Sequence, residues 1–188
     1  GRWSLSPNST RSAARSAPKP RFQTKTTAAE RRKGEGPFVR DFVGSLCSVT
    51  KDTFAGPAGD PLVLRPWQTQ LIDGIFARHA SGPRKDRFRH RQALVGMPRK
   101  NGKTALGAAI GLYGLFCGPV GAEVYSCAGE REQARICFGM AKQMVEAEPQ
   151  LLSQAKLYRD VIEVPSQNAI YRVLSAEAYS KEGLSPTL

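Results

Sequence analysis

The chain has 188 residues, of which 40% are hydrophobic and 23% are charged, and its formal net charge is +12. This length and composition allow one hydrophobic core, so we expect one domain or part of one. The sequence contains no apolar run near the ~20 residues that span a bilayer, and residues 1–36 lack the apolar core of a secretory signal. We therefore expect a soluble intracellular protein with no membrane partner.

The positive charge is concentrated at the N-terminus, where residues 1–40 contain ten Lys and Arg against two Asp and Glu. Residues 1–36 are rich in Ser, Pro, Thr and Arg, and such a composition does not offset the entropy cost of ordering. We expect 1–36 to be a disordered basic tail and 37–188 to be the folded region. The tail either contacts nucleic acid through phosphate charge or is a solvated extension, and its composition favours neither.

The four cysteines are Cys47, Cys117, Cys127 and Cys137. They include no Cys-x-x-Cys pair, and the chain has only two histidines, which argues against a thiolate metal site. Each cysteine lies among apolar residues, so we expect reduced thiols in the core.

The folded region begins with a predicted amphipathic helix over 37–47, followed by a turn-rich stretch over 55–61 and a short apolar segment over 62–64. A second helix starts at Pro66, where the missing N–H of proline costs nothing, and its apolar residues recur at helical spacing. The basic run over 84–91 is typical of a solvated linker.

Residues 92–95 predict a strand, and the run 96–104 (GMPRKNGKT) then leads into a long apolar helix. This order is typical of a phosphate-binding loop: Gly102 lets the backbone approach the phosphates, Lys103 reaches the β- and γ-phosphates, and the Thr104 hydroxyl binds Mg²⁺. The usual pattern has an earlier glycine where this chain has Met97, so the loop is a variant. The strand–loop–helix context favours a nucleotide site over a chance match.

Strand and helix continue to alternate downstream. Residues 123–128 have β character, 130–148 carry one apolar helical stripe, and 161–164 with 169–174 predict a hairpin around a Pro-Ser-Gln-Asn turn. An α/β fold with a mainly parallel sheet and helices on both faces is therefore expected.

Three places on the chain together resemble the ATPase domain of the large terminase subunit, the motor that packages DNA into the heads of tailed bacteriophages. They are residues 64–68 (LRPWQ), the variant loop 98–104, and the segments 124–134, 174–177 and 183–188. The resemblance covers residues 38–188 and implies the fold of a P-loop NTPase, a mainly parallel sheet flanked by helices.

The resemblance also implies roles for individual residues. Gln68 would hydrogen-bond the adenine edge, and Arg99, with Lys100 beside it, would sense or stabilise the γ-phosphate from within the same subunit. The implied nucleotide-binding set is Gln68, Arg99, Lys100, Asn101, Gly102, Lys103 and Thr104, with Lys103 and Arg99 catalytic and Thr104 on Mg²⁺. Simpler explanations remain: Gln68 as an exposed helix residue, Trp67 as core packing, and Arg99 and Lys100 as a source of positive potential only.

By the same resemblance, the cofactors are ATP and Mg²⁺, and the partners are double-stranded DNA, the small terminase subunit, the portal and other copies in a ring. The expected location is the cytoplasm of an infected bacterium. The family's acidic strand, with its Mg²⁺-binding aspartate and catalytic glutamate, and its nuclease domain do not occur in these 188 residues. We therefore expect the front part of an ATPase, active in the intact protein and without turnover alone.

Two other functions fit parts of the pattern. A helicase-like P-loop ATPase shares the order of a glutamine followed by a P-loop. A non-catalytic nucleic-acid-binding remnant would use the tail and the loop only to bind phosphate.

Overall fold

The computed structural model describes residues 26–52, 56–174 and 186–187. The elements in chain order are α1 (Ala28–Lys33), α2 (Gly36–Leu46), α3 (Pro66–Ile75), α4 (Lys103–Cys117), β1 (Glu123–Cys127), α5 (Arg131–Ala147), α6 (Pro149–Leu152), β2 (Lys156–Leu157), β3 (Val161–Val164) and β4 (Ala169–Leu174). The helices predicted from Pro66 and over 37–47 and 130–148 are confirmed as α3, α2 and α5. In the described ranges, no helix has the length and hydropathy needed to cross a membrane.

The four strands form one sheet in the order β1-β4-β3-β2. β1 and β4 run parallel, with Glu123 opposite Ile170, whereas β3 pairs antiparallel with both β4 and β2. Asn168 closes the β3–β4 turn in the left-handed region with φ 51°, so the predicted hairpin is confirmed. Within the described part of the chain, one strand pairing is parallel and two are antiparallel, and the α/β class is confirmed.

Helix α4 is the centre of the core, because it packs on β1, β4 and α5 and is also covered by α2. Leu112 and Leu115 are fully buried, and the helix is apolar on almost all sides, as expected for a helix enclosed by protein. Tyr113 extends the core toward the N-terminal helices through edge-on contacts with Phe42 and Phe76, whose ring centroids lie 5.8 and 5.7 Å away.

The expectation of a disordered tail as far as Gly36 is wrong for its last residues, because residues 28–33 form α1. Thr27 and Glu30 make a reciprocal capping box at its start. Glu30 and Lys33 also form ion pairs with Arg89 and Asp86, far along the chain. These contacts supply the stabilisation that composition alone does not reveal. Residues 1–25 lie outside the described residues.

Residues 92–95, predicted as a strand, have no regular secondary structure. They pair with no strand of the described sheet, and the Leu94 side chain is fully exposed. β-Branched and aliphatic residues favour a strand only when a neighbouring strand satisfies their backbone groups. The predicted strand is therefore absent here, because none of the described strands lies beside residues 92–95.

Candidate nucleotide-binding site

The run 96–102 forms an irregular loop that ends at the N-terminus of α4. Gly102 is the N-cap residue, with φ 74° and ψ 17° in the left-handed region, and Lys100 also has a positive φ of 65°. Glycine adopts this conformation freely, whereas a residue with a Cβ is strained there. The first helical bond runs from the amide of Leu106 to the carbonyl of Gly102, at 3.0 Å. The free N–H groups of the first turn of α4 therefore point toward the loop, a favourable place for an anion.

Lys103 is the first residue of α4, and its side chain folds back over the loop. Its Nζ donates a hydrogen bond to the carbonyl oxygen of Met97 at 2.6 Å. The Nδ2 of Asn101 donates to the carbonyls of Pro98 (3.3 Å) and Arg99 (3.4 Å) and so holds the turn. The ammonium group is thus inside the loop, where phosphate oxygens could replace the Met97 carbonyl as its acceptor.

Arg99 and Lys100 are exposed on the same loop. Neither side chain forms an ion pair with another part of the described chain. Both cations are therefore available to an anion. The predicted residues from Arg99 to Thr104 all lie in the loop or in the first turn of α4.

Gln68 reaches this loop from α3. Its side chain is buried rather than exposed, at 8% of full accessibility, so the simpler explanation of an exposed helix residue is wrong. Its Oε1 accepts a hydrogen bond from the amide of Arg65 at 2.8 Å, and its Nε2 lies 3.7 Å from where a Cβ on Gly102 would be. The Arg65 amide fixes the amide group of Gln68 against the loop. Trp67 is half-buried against the core, as its simpler explanation predicted.

The inner side of the first turn of α4 contacts a buried chain of neutral polar groups. Ser126 on β1 and Tyr171 on β4 share a hydrogen bond of 2.6 Å between their hydroxyl oxygens. The Tyr171 hydroxyl donates to Sγ of Cys137 on α5 (3.9 Å), and that thiol donates to the carbonyl of Thr104 (3.8 Å). We call these side chains, from Ser126, Tyr171 and Cys137, the support cluster.

The support cluster borders a cleft of about 260 Å³ between α4, α5 and β1. Burial raises the pKa of Tyr171 and that of Cys137, so both groups stay neutral and keep their protons at physiological pH. The prediction of four core thiols holds for Cys47, which is buried, and in part for Cys137, which is half-buried, but it is wrong for Cys117 and Cys127, which are exposed. The sequence gave no sign of the support cluster, because its members lie on three separate elements with no shared spacing.

The Thr104 hydroxyl is an oxygen donor beside the loop that a hard cation could use. Thr104 lies half-buried in the first turn of α4, and its hydroxyl has no hydrogen-bond partner in the described part of the chain. The residues described here contain no group of three or more His, Cys, Asp or Glu that could hold a metal ion. A metal at this loop would therefore need phosphate oxygens in addition to Thr104, and oxygen ligands of this kind suit Mg²⁺.

Comparison with known proteins identifies the family. The family model described as the terminase large subunit, ATPase domain, matches residues 66–188. The large terminase subunit of Enterobacteria phage HK97 is 33% identical over 159 residues, which are 81% of this chain and 29% of that protein. The crystal structure of the HK97 bacteriophage large terminase superposes with a TM-score of 0.65 at 28% identity, covering 81% of this chain and 30% of the other. The chain thus spans less than a third of the length of these relatives.

Proposed function

Because the chain belongs to the family of terminase large subunit ATPase domains, we propose that it is the ATP-binding part of a motor that moves double-stranded DNA into a viral capsid. The observation that carries the proposal is the loop over 96–104, with the Lys103 ammonium held inside it and the buried Gln68 amide against it. The proposed ATPase part is residues 37–188, and α1 is joined to it by the ion pairs of Glu30 and Lys33.

The loop residues divide the work of binding ATP. Lys103 leaves the Met97 carbonyl and pairs with the β- and γ-phosphates, while the N–H groups at the start of α4 bind the phosphate oxygens. The Nε2 of Gln68 donates to the adenine ring, and its Oε1 keeps a lone pair for the adenine amino group beside the bond from Arg65. Arg99, assisted by Lys100, places positive charge near the γ-phosphate, where charge develops during transfer.

The Thr104 hydroxyl, together with phosphate oxygens of the nucleotide, would hold Mg²⁺. When bound, the ion neutralises charge on the β- and γ-phosphoryl oxygens. Hydrolysis also needs a carboxylate that orients the attacking water. The loop over 96–104 contains no Asp or Glu. We propose that the intact protein hydrolyses ATP and that residues 1–188 alone do not.

The partners follow from the family and belong to the same proposal. They are double-stranded DNA, a small terminase subunit, a portal and further copies of this protein in a ring, in the cytoplasm of an infected bacterium. A ring of such subunits would act in turn on one DNA duplex, so nucleotide turnover and DNA movement would be coupled.

The test is the substitution Lys103→Ala in the intact protein, with Lys142→Ala as the control. Lys142 is a half-buried lysine on α5, and its Nζ donates to the carbonyl of Tyr158 at 3.2 Å, away from the loop. Lys103→Ala removes the mobile charge on the β- and γ-phosphates, so we expect Mg²⁺-dependent ATP hydrolysis to fall at least about 100-fold. Lys142→Ala leaves it unchanged.

Retention of turnover within about tenfold of the parent by Lys103→Ala would contradict the phosphate-binding role of the loop. Nucleotide binding by the parent without any hydrolysis would favour the non-catalytic remnant. ATP-driven strand separation without movement along an intact duplex would favour the helicase-like ATPase.

A further inference from the structure

Residues 77–91, which include the basic run over 84–91, form an ordered reversal of the chain that we call the basic hairpin. Its two arms are joined by three backbone hydrogen bonds: His79 N to Arg87 O (2.9 Å), Asp86 N to His79 O (2.9 Å) and Arg89 N to Ala77 O (2.8 Å). The chain turns at Gly82, which has a φ of 79°. The run over 84–91 is largely exposed, as predicted, but it is not a linker, because backbone groups of Asp86, Arg87 and Arg89 pair with the opposite arm.

The basic hairpin is fixed to the N-terminal helices by ion pairs. They are Lys33 Nζ with Asp86 (3.1 Å), Arg89 with Glu30 (3.2 Å), and Arg78 with Glu35. The Arg78 guanidinium also lies 4.1 Å from the centre of the Phe88 ring, and that ring packs edge-on against Phe76 in the core. The one carboxylate of the basic hairpin and the two carboxylates that approach it are thus all paired with cations.

The basic hairpin contains the excess positive charge of residues 41–188. It has six Arg or Lys and one Asp, whereas the remainder of residues 41–188 has twelve basic and thirteen acidic residues. Arg84, Lys85 and Arg87 are exposed near its turn and form no ion pair with any described residue. The ion pairs of the basic hairpin therefore use Arg78, Asp86 and Arg89 and leave the cations of Arg84, Lys85 and Arg87 without an ion-pair partner among the described residues.

We propose that the basic hairpin binds the phosphate backbone of double-stranded DNA through Arg84, Lys85 and Arg87. This inference rests on the proposed function, since it identifies the surface that touches the transported duplex. Arg and Lys on an ordered support contact phosphates directly and read no base sequence, which suits a protein that moves along DNA of any sequence. An acidic protein partner fits less well, because residues 81–87 (SGPRKDR) offer none of the apolar or aromatic anchors that protein interfaces use.

The experiment compares two triple variants of the intact protein. The test variant is Arg84→Ser/Lys85→Ser/Arg87→Ser, and the control variant is Lys51→Ser/Lys156→Ser/Arg159→Ser, which removes three exposed cations elsewhere. Binding to a fluorescent 30-base-pair duplex is measured by anisotropy from 50 to 200 mM KCl, beside ATP hydrolysis without DNA and thermal melting. Each phosphate contact contributes about 0.9 to the slope of log K against log salt.

We expect the test variant to bind the duplex at least about tenfold more weakly at 100 mM KCl, with a slope reduced by about 2 to 3. The control variant changes both quantities much less, and DNA-independent ATP hydrolysis and melting stay at the parent level in both variants. Equal losses of affinity in the two variants, or a parent that hydrolyses ATP and does not bind DNA, would overturn the inference and leave the proposed function standing. If the parent does not hydrolyse ATP but its DNA binding still depends on the basic hairpin, the inference stands and the proposed function fails.

Discussion

The outer side of the first turn of α4 is the loop over 96–104, an exposed, positively charged run of consecutive residues. The inner side contacts the support cluster, which is largely buried, neutral and assembled from β1, β4 and α5. Residues that must reach a ligand are in water and contribute little to packing, whereas residues that hold the helix contribute little chemistry. We therefore expect substitutions on the outer side to change activity and substitutions on the inner side to change stability.

The largest effect is expected for Tyr171→Ala on the inner side. The Tyr171 side chain is 2% exposed, and its ring packs edge-on against Phe138 with centroids 5.4 Å apart. Truncation leaves a cavity under α4 and removes the partner of the Ser126 hydroxyl, so we expect a loss of about 3–5 kcal/mol in the free energy of unfolding. Urea denaturation of variant and parent measures it. A loss below about 1 kcal/mol would show that the support cluster does not hold the helix.

On the outer side, Arg99→Ala is expected to lower the maximal rate of ATP hydrolysis about 100-fold and to change nucleotide affinity little, because charge stabilisation is needed mainly in the transition state. Arg159→Ala is the matched control, since Arg159 is also an exposed arginine and lies between β2 and β3, away from the loop. The free energy of unfolding should change by no more than about 0.5 kcal/mol in either variant. Equal losses of rate and affinity in Arg99→Ala would mean that Arg99 only attracts phosphate.

A smaller effect is expected at Gly111 of α4, which faces the Tyr171 ring. A Cβ at this position would lie 3.1 Å from Cε1 of Tyr171, so Gly111→Ala crowds a ring that has little room to move. We expect it to lower the free energy of unfolding by about 1–2 kcal/mol. Gly139→Ala on α5, where a Cβ meets no atom within 4 Å, should be neutral or slightly stabilising. If Gly139→Ala is destabilised and Gly111→Ala is neutral, the conclusion that Gly111 is the crowded position and Gly139 the open one is wrong.

Local signals were sufficient for several elements and for the position of the loop. The positions of α2, α3, α5 and the β3–β4 hairpin follow from periodicity, proline placement and turn residues within short windows. The candidate nucleotide-binding run could be proposed for the same reason: Gly102, Lys103 and Thr104 are consecutive, and the turn that orients them lies within the same few residues.

Contacts between distant residues were decided only by the tertiary structure. The parallel pairing of β1 with β4 and the support cluster join residues separated by more than thirty positions, for which no spacing rule exists. Residues 92–95 have the composition of a strand but pair with no described strand.

The sequence by itself determined the helices and the hairpin and indicated the candidate phosphate-binding loop over 96–104, because these depend on backbone preferences within a few residues. Only the tertiary structure decided that Gln68 is buried against Gly102, that α1 is ordered, and that residues 77–91 are a hairpin fixed to it. In each of these cases a polar or charged group finds its partner far along the chain. The free energy of such a contact depends on whether folding brings the two groups together, which composition and periodicity do not specify.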